Sequence, residues 1–300
     1  MATQYDSGMP ANQLPEAVSA ALADPRPGRR LAVLAAGIPF SGLTWGDAAA
    51  RTLLLLHGVT SSAASFWRVG PALAGLGRLV VAPDMPGHGR TGHWQGHYRF
   101  RDNASDMAAF ARGAGLARAD LQVVGHSWGA MTAAALPAAG LIPATIVLLD
   151  PPAIPFERIA LEASDPAQRT FEDAGEARHV IAAENPDWAE GDIAAKAEAL
   201  TELDEAAARS VLLDNKDWDG GLADLADPAA ASVDLWIIRG DPAAGGFVPD
   251  SMLPAFEARA GRDRVITIAG GPHSPHRTHI RQTTAALVRA LDAAGATPGV

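Results

Sequence analysis

The chain has 300 residues, 48% of them hydrophobic, enough for one large α/β domain with an insertion or for two ordinary domains, with no need of a disulfide or metal staple. It contains no cysteine, which excludes disulfides, thiolate metal sites and a cysteine nucleophile. A formal charge of −10 argues against nucleic acid or an anionic membrane as a partner, and no apolar run approaches the roughly 18 residues of a membrane span.

Residues 1–29 lack a basic start followed by an apolar run, so no secretory signal is recognisable. They read as an extension with a helix around 14–23, and the cytoplasm is the expected location. Residues 30–36 and 42–46 read as the arms of a hairpin joined through Gly37, Ile38 and Pro39. The bare apolar run at 52–56 is of the kind buried on both faces of a parallel sheet. Similar runs recur at 78–82, 121–124, 145–149, 233–238 and 265–268, with alanine-rich helical stretches at 65–74, 101–114 and 131–139. This alternation predicts an α/β fold: a mostly parallel twisted sheet with helices on both faces. One interval breaks it. Residues 151–230 have no strand run, are rich in Ala, Glu and Asp, and carry Trp188 and Trp218, which reads as an inserted helical cap. The expected division is an extension at 1–29, a core at 30–150 and 231–300, and a cap at 151–230.

The pentapeptide Gly125-His126-Ser127-Trp128-Gly129 sits between the apolar run ending at Val124 and a helix of small residues. Gly-x-Ser-x-Gly in that setting is a nucleophile elbow, a turn so tight that the serine backbone is strained and its neighbours two positions away must be glycine. The hydroxyl is thereby lifted clear of the sheet, with the dipole of the next helix pointing at the site. Serine is a poor nucleophile at neutral pH and needs a base within hydrogen-bond reach. His273, in the Gly/Pro-rich loop after the last apolar run, is the candidate. His276 and His279 follow at three-residue intervals; a metal-binding face is conceivable, but no companion carboxylate motif suggests one, and two of the three are expected on the surface of the final helix.

With the elbow in this order of elements, the chain resembles the α/β-hydrolases, in their serine-nucleophile, esterase- or lactonase-like branch with a helical cap. Three further segments carry the resemblance. Leu56-His57-Gly58-Val59-Thr60 resembles the family's His-Gly oxyanion loop, Asp84-Met85-Pro86-Gly87-His88-Gly89 its Asp-x-Pro-Gly-x-Gly turn, and Gly270-Gly271-Pro272-His273 the loop that bears its histidine. The resemblance implies that the backbone N–H groups of Val59 and Trp128 receive the oxyanion. His57 is expected to stabilise its loop, and His88 to sit in a structural turn. The family places its acid three residues after the glycine ending the penultimate core strand. Here that glycine is Gly240 and the position holds Ala243. Two acids remain: Asp150, at the end of the preceding strand, where haloalkane dehalogenases and some lactone hydrolases carry theirs, and Asp241. Asp150 is the preferred acid and Asp241 the alternative, each with the competing role of capping a turn. Dehalogenases and epoxide hydrolases of the family use an aspartate at the elbow, where this chain has serine.

These residues imply hydrolysis of a carboxylic ester or lactone by Ser127, His273 and Asp150 through an acyl-enzyme, without a cofactor or metal. The substrate is expected to be a small apolar ester or lactone, with His57, Phe66, Trp67, Trp188 and Trp218 as candidate pocket residues. For each of the aromatic residues, burial in a local core competes with that role. The same triad supports C–C bond hydrolysis, amide hydrolysis and cofactor-free perhydrolysis, and a non-catalytic ligand-binding receptor on this fold is the alternative outside enzymes. The sequence leaves the oligomeric state open.

Overall fold

The computed structural model describes residues 14–47, 50–92, 98–164, 170–216 and 218–293. Its eight strands are β1 (Arg29–Ala35), β2 (Ile38–Trp45), β3 (Arg51–Leu56), β4 (Arg78–Pro83), β5 (Gln122–His126), β6 (Thr145–Leu149), β7 (Asp234–Gly240) and β8 (Val265–Ile268). They form one sheet in the order β1-β2-β4-β3-β5-β6-β7-β8. β1, β2 and β4 pair antiparallel, and every pairing from β4 through β3 to β8 is parallel. The parallel strands β3, β5 and β6 are buried along almost their whole length, which is why they read as largely apolar runs, although β5 also buries Gln122 and His126.

Helices cover both faces. On one side lie α1 (Glu16–Ala23) and α2 (Val69–Ala74), together with the final helix. On the other lie α3 (Phe100–Gly113) and α4 (Trp128–Ala135). Every residue of α4 is buried, so its run of alanines reflects the close approach of a helix that crosses the core. Between β6 and β7 the described chain is helical: α5 (Phe156–Glu162), α6 (Ala174–Glu184), α7 (Glu190–Thr201), α8 (Glu205–Asp214) and the short α9 (Leu222–Leu225). Phe171, Ile181, Ile193 and Leu200 give this insertion a small apolar core of its own. After β7 come α10 (Leu253–Ala260), the single turn α11 (Pro275–Thr278) and α12 (Ile280–Ala293). Among the described residues no helix is long and apolar enough to cross a membrane.

Two local expectations need correction. The hairpin turn is Ala36-Gly37, both with positive φ (49° and 80°), and Ile38 and Pro39 already belong to β2. A two-residue turn of this kind matches the twist of its strands, so the longer connection through Pro39 is unnecessary. The helix expected at 65–74 is a 3₁₀ turn at Ala63–Phe66, capped by the Ser62 side chain, followed by the separate α2. Val18 of α1 is fully buried, so this part of the N-terminal extension packs on the core; residues 1–13 lie outside the described residues.

Candidate active site

The parallel strands deliver their C-terminal ends to one edge of the sheet, the place where α/β folds build their sites. Ser127 follows β5 with φ 54° and ψ −121°, a region that side chains rarely occupy. Its N–H is anchored on the Leu149 carbonyl at 3.0 Å. The flanking glycines are a steric necessity. A Cβ on Gly125 would lie 2.1 Å from the Gly129 carbonyl oxygen, and one on Gly129 would lie 2.3 Å from that of Leu56.

His273 Nε2 lies 2.9 Å from Ser127 Oγ, and its Nδ1 lies 2.6 Å from Asp150 Oδ2. A carboxylate only accepts, so Nδ1 carries the proton and the Nε2 lone pair faces the hydroxyl. Asp150 is fully buried. Its Oδ1 accepts from Gly240 N at 2.8 Å, and Oδ2 also accepts from Phe247 N at 2.8 Å. Its φ of 44° turns the side chain off the end of β6 toward this network. The imidazole of His273 is also stacked on the Phe247 ring, centroids 3.9 Å apart. Asp241 is elsewhere. Its Oδ1 accepts from Ala243 N at 2.9 Å and its Oδ2 from Gly270 N at 3.0 Å, so it caps a 3₁₀ turn and ties two loops together. Those backbone donors, Gly270 foremost, hold its carboxyl below the usual range.

Neither Val59 N nor Trp128 N donates to a described residue. Trp128 N opens α4 directly after the serine, and Val59 lies on the loop whose Gly58 packs against Ser127. The loop is braced from both sides. His57 is fully buried, donating from Nδ1 to Gly58 O at 2.8 Å and accepting at Nε2 from Met85 N at 2.9 Å. Thr60, with φ 56°, is held by Lys196 of α7, whose Nζ donates to Thr60 Oγ1 at 2.6 Å and Thr60 O at 3.0 Å. His88 lies in a buried turn with its ring 4.8 Å from that of Trp128. Burial pushes His57 down to about 4 and His88 down to about 3, so both are neutral at physiological pH. His126 donates from Nε2 to the His273 carbonyl at 2.9 Å, and burial likewise keeps it neutral.

A cavity of about 220 Å³ opens over Ser127 and His273. Trp188 and Trp218 line it, and Trp218 also packs edge-on against Phe100 at 4.8 Å. Three other candidates do not line it. His57 is sealed behind its loop, and Phe66 is buried near His276. Trp67 turns toward α7, donating from Nε1 to Asp192 Oδ1 at 3.0 Å. That carboxylate also takes Arg68, so the pair fastens the insertion to the core. His276 is buried as well, with its ring 4.6 Å from that of His126, and not on a helix surface as the sequence suggested. The wall is also less apolar than expected: Lys196, Arg277 and, at the exposed rim, Glu184 join Ile159, Ile181 and Leu212. Arg277, Phe247 and Lys196 were missed in the sequence. For Arg277 a signal existed, because Pro275 opens a helical turn and sets it one turn after His273.

A model of the alpha/beta hydrolase fold matches residues 51–237. The chain belongs to the α/β-hydrolase family. Epoxide hydrolase B of Mycobacterium tuberculosis (strain ATCC 25618 / H37Rv) is 40% identical over 83 residues, 27% of this chain; the match spans only 23% of that relative's length. Among solved structures, E-2-(acetamidomethylene)succinate hydrolase superposes with a TM-score of 0.73 at 22% identity, covering 88% of this chain and 99% of that one. An N-acyl homoserine lactonase variant complexed with N-hexanoyl homoserine gives 0.66 at 18% identity, covering 91% and 98%. At these identities the likeness to the solved structures is one of fold.

Proposed function

We propose that this α/β-hydrolase cleaves a carboxylic ester or lactone through an acyl-enzyme, with Ser127 as nucleophile, His273 as base and Asp150 as the acid that orients it. The observation that carries the reading is the continuous hydrogen-bonded chain Asp150–His273–Ser127 at the floor of the cavity. Ser127 Oγ attacks the carbonyl as its proton passes to His273 Nε2, and Asp150 balances the imidazolium. The N–H groups of Val59 and Trp128 receive the oxyanion, a contribution of about 2.7–4 kcal/mol per donor in such sites. His273 returns the proton to the leaving alkoxide. It then takes a proton from water, which attacks the acyl carbon, and the acid departs as Ser127 regains its hydrogen. The helical insertion serves as a cap, with Trp188, Trp218, Ile159 and Ile181 as its apolar wall.

The serine at the elbow favours this chemistry over epoxide opening, in which this family uses a carboxylate nucleophile. Turnover of a panel of esters and lactones, with Ser127→Ala and His273→Ala beside the native chain, tests it. Each variant is expected to lose about 10⁵–10⁶ in kcat. Undiminished turnover in Ser127→Ala overturns the reading.

A further inference from the structure

Three arginines are buried among the described residues: Arg78, Arg239 and Arg277. Arg78 is paired with Gln122 and Asp292, and Arg239 with Thr267, the Val248 carbonyl and Asp250. Arg277 differs. It is 7% exposed, lines the cavity, and its guanidinium makes no hydrogen bond to any described residue; its Nε, like that of Arg78, is sealed from solvent without an acceptor. Its guanidinium carbon lies 4.2 Å from the centre of the Trp188 ring. The nearby carboxylate, Asp192, is already committed to Arg68 and Trp67. Burying a guanidinium without an acceptor is costly, and a flat cation held on an aromatic face presents its fork in one fixed orientation.

We propose that Arg277 is a specificity-determining residue that receives a carboxylate carried by the substrate, remote from the carbonyl that Ser127 attacks. The inference rests on the acyl-enzyme reading and narrows it from esters in general to carboxylate-bearing ones, such as monoesters of dicarboxylic acids. The guanidinium fork matches a carboxylate with two parallel N–H···O bonds. Burial and the neighbouring Arg68 lower Arg277 to about 10, with Asp192 acting in the opposite sense, so the side chain remains a cation at neutral pH. Lys196, on the same wall, adds a second positive group. Glu184, also on the lining, is exposed, and solvent screens its charge. Asn185 and Trp188 also line the cavity, with Ile159 and Leu212 as its apolar part.

The test compares the monoethyl esters of succinic, glutaric and adipic acids with ethyl butyrate, pentanoate and hexanoate. Each is measured on the native chain and on Arg277→Met, with thermal melting as a check on folding. At the best-fitting length the native chain is expected to favour the monoester by about tenfold or more in kcat/KM, chiefly through KM. Arg277→Met should abolish that preference, lowering kcat/KM for the monoester by about tenfold more than for the neutral ester. An equal loss on both substrates, as would follow if Arg277 only braced α11, overturns the proposal, and so does cleavage of both substrates by the native chain without preference. Calorimetry supplies a readout independent of turnover. Ser127→Ala should bind the intact monoester, and Ser127→Ala/Arg277→Met should not; equal binding by both overturns the proposal. If Arg277-dependent binding appears while the native chain neither cleaves the monoester nor reacts with a serine-directed phosphonate, the anion site stands and the acyl-enzyme reading fails.

Discussion

Asp150→Asn is the most discriminating single change in this site. The carboxylate takes three N–H donors, from Gly240, Phe247 and His273. Asparagine replaces one oxygen with an NH2, so one donor must then face another. With the NH2 toward Gly240, His273 keeps its Nδ1 proton but loses the negative charge that stabilises imidazolium. With the NH2 toward His273, Phe247 N also loses its acceptor and the ring must invert its tautomer, which puts a proton on the nitrogen facing Ser127. In a triad, the wrong tautomer lowers kcat by about 10⁴. The expected fall for Asp150→Asn is therefore about 10²–10⁴, or about 3–5.5 kcal/mol of barrier at roughly 1.36 kcal/mol per decade. The fold should survive. The φ of 44° at this position suits asparagine well, and one unsatisfied buried donor costs about 1–3 kcal/mol. The assay is kcat on a nitrophenyl ester with melting curves in parallel, and Asp241→Asn is the comparison. Because Asp241 only joins Ala243 N and Gly270 N, its variant should stay within about threefold of the native rate. An Asp150→Asn rate within about tenfold of native, or an equal fall in Asp241→Asn, would refute the assignment of the acid.

Two further outcomes follow from the geometry. The backbone at Ser127 is held where glycine is at ease, at a cost of about 1–3 kcal/mol to other residues, partly offset by the about 0.4–1 kcal/mol of extra chain entropy that glycine loses on folding. Ser127→Gly should therefore be inactive and melt a few degrees above Ser127→Ala; a lower melting point would show that the turn stores no strain. His57, His88, His126 and His276 are all depressed by burial, so the unfolded chain binds protons that the native chain refuses once the pH falls below about 6.5. Their contribution is complete above that pH and is lost as the pH falls toward the native values, about 4 for His57 and about 3 for His88. Urea titrations should show stability declining between pH 6.5 and 5 by about 2.7 kcal/mol per pH unit or more, the slope for two protons; a flat profile there would contradict the burial account.

The sequence was most legible where sterics leave no choice. Gly125 and Gly129 are demanded by backbone contacts far below van der Waals distance, and the buried parallel strands are predominantly apolar, so elbow, sheet and insertion could be read in order. The ring directions were not legible. Phe66 and Trp67 follow closely on the His57-Gly58 loop, yet the indole N–H of Trp67 is committed to Asp192, a partner 125 positions away. The two aspartates illustrate the same limit. Each closes a strand, and only the path of the following loop turns Asp150 toward His273 and Asp241 toward Gly270. Arg277 was overlooked because an arginine after Pro275 suggests a solvated helix, and nothing local reveals that Trp188 from the insertion covers it.

The central claim is an activated serine at position 127, and the most direct test is intact-protein mass after exposure to a fluorophosphonate, with Ser127→Ala run beside the native chain. The account predicts a single adduct on the native protein and none on the variant. An adduct on both, or none on the native protein while short nitrophenyl esters also remain uncleaved, would contradict it.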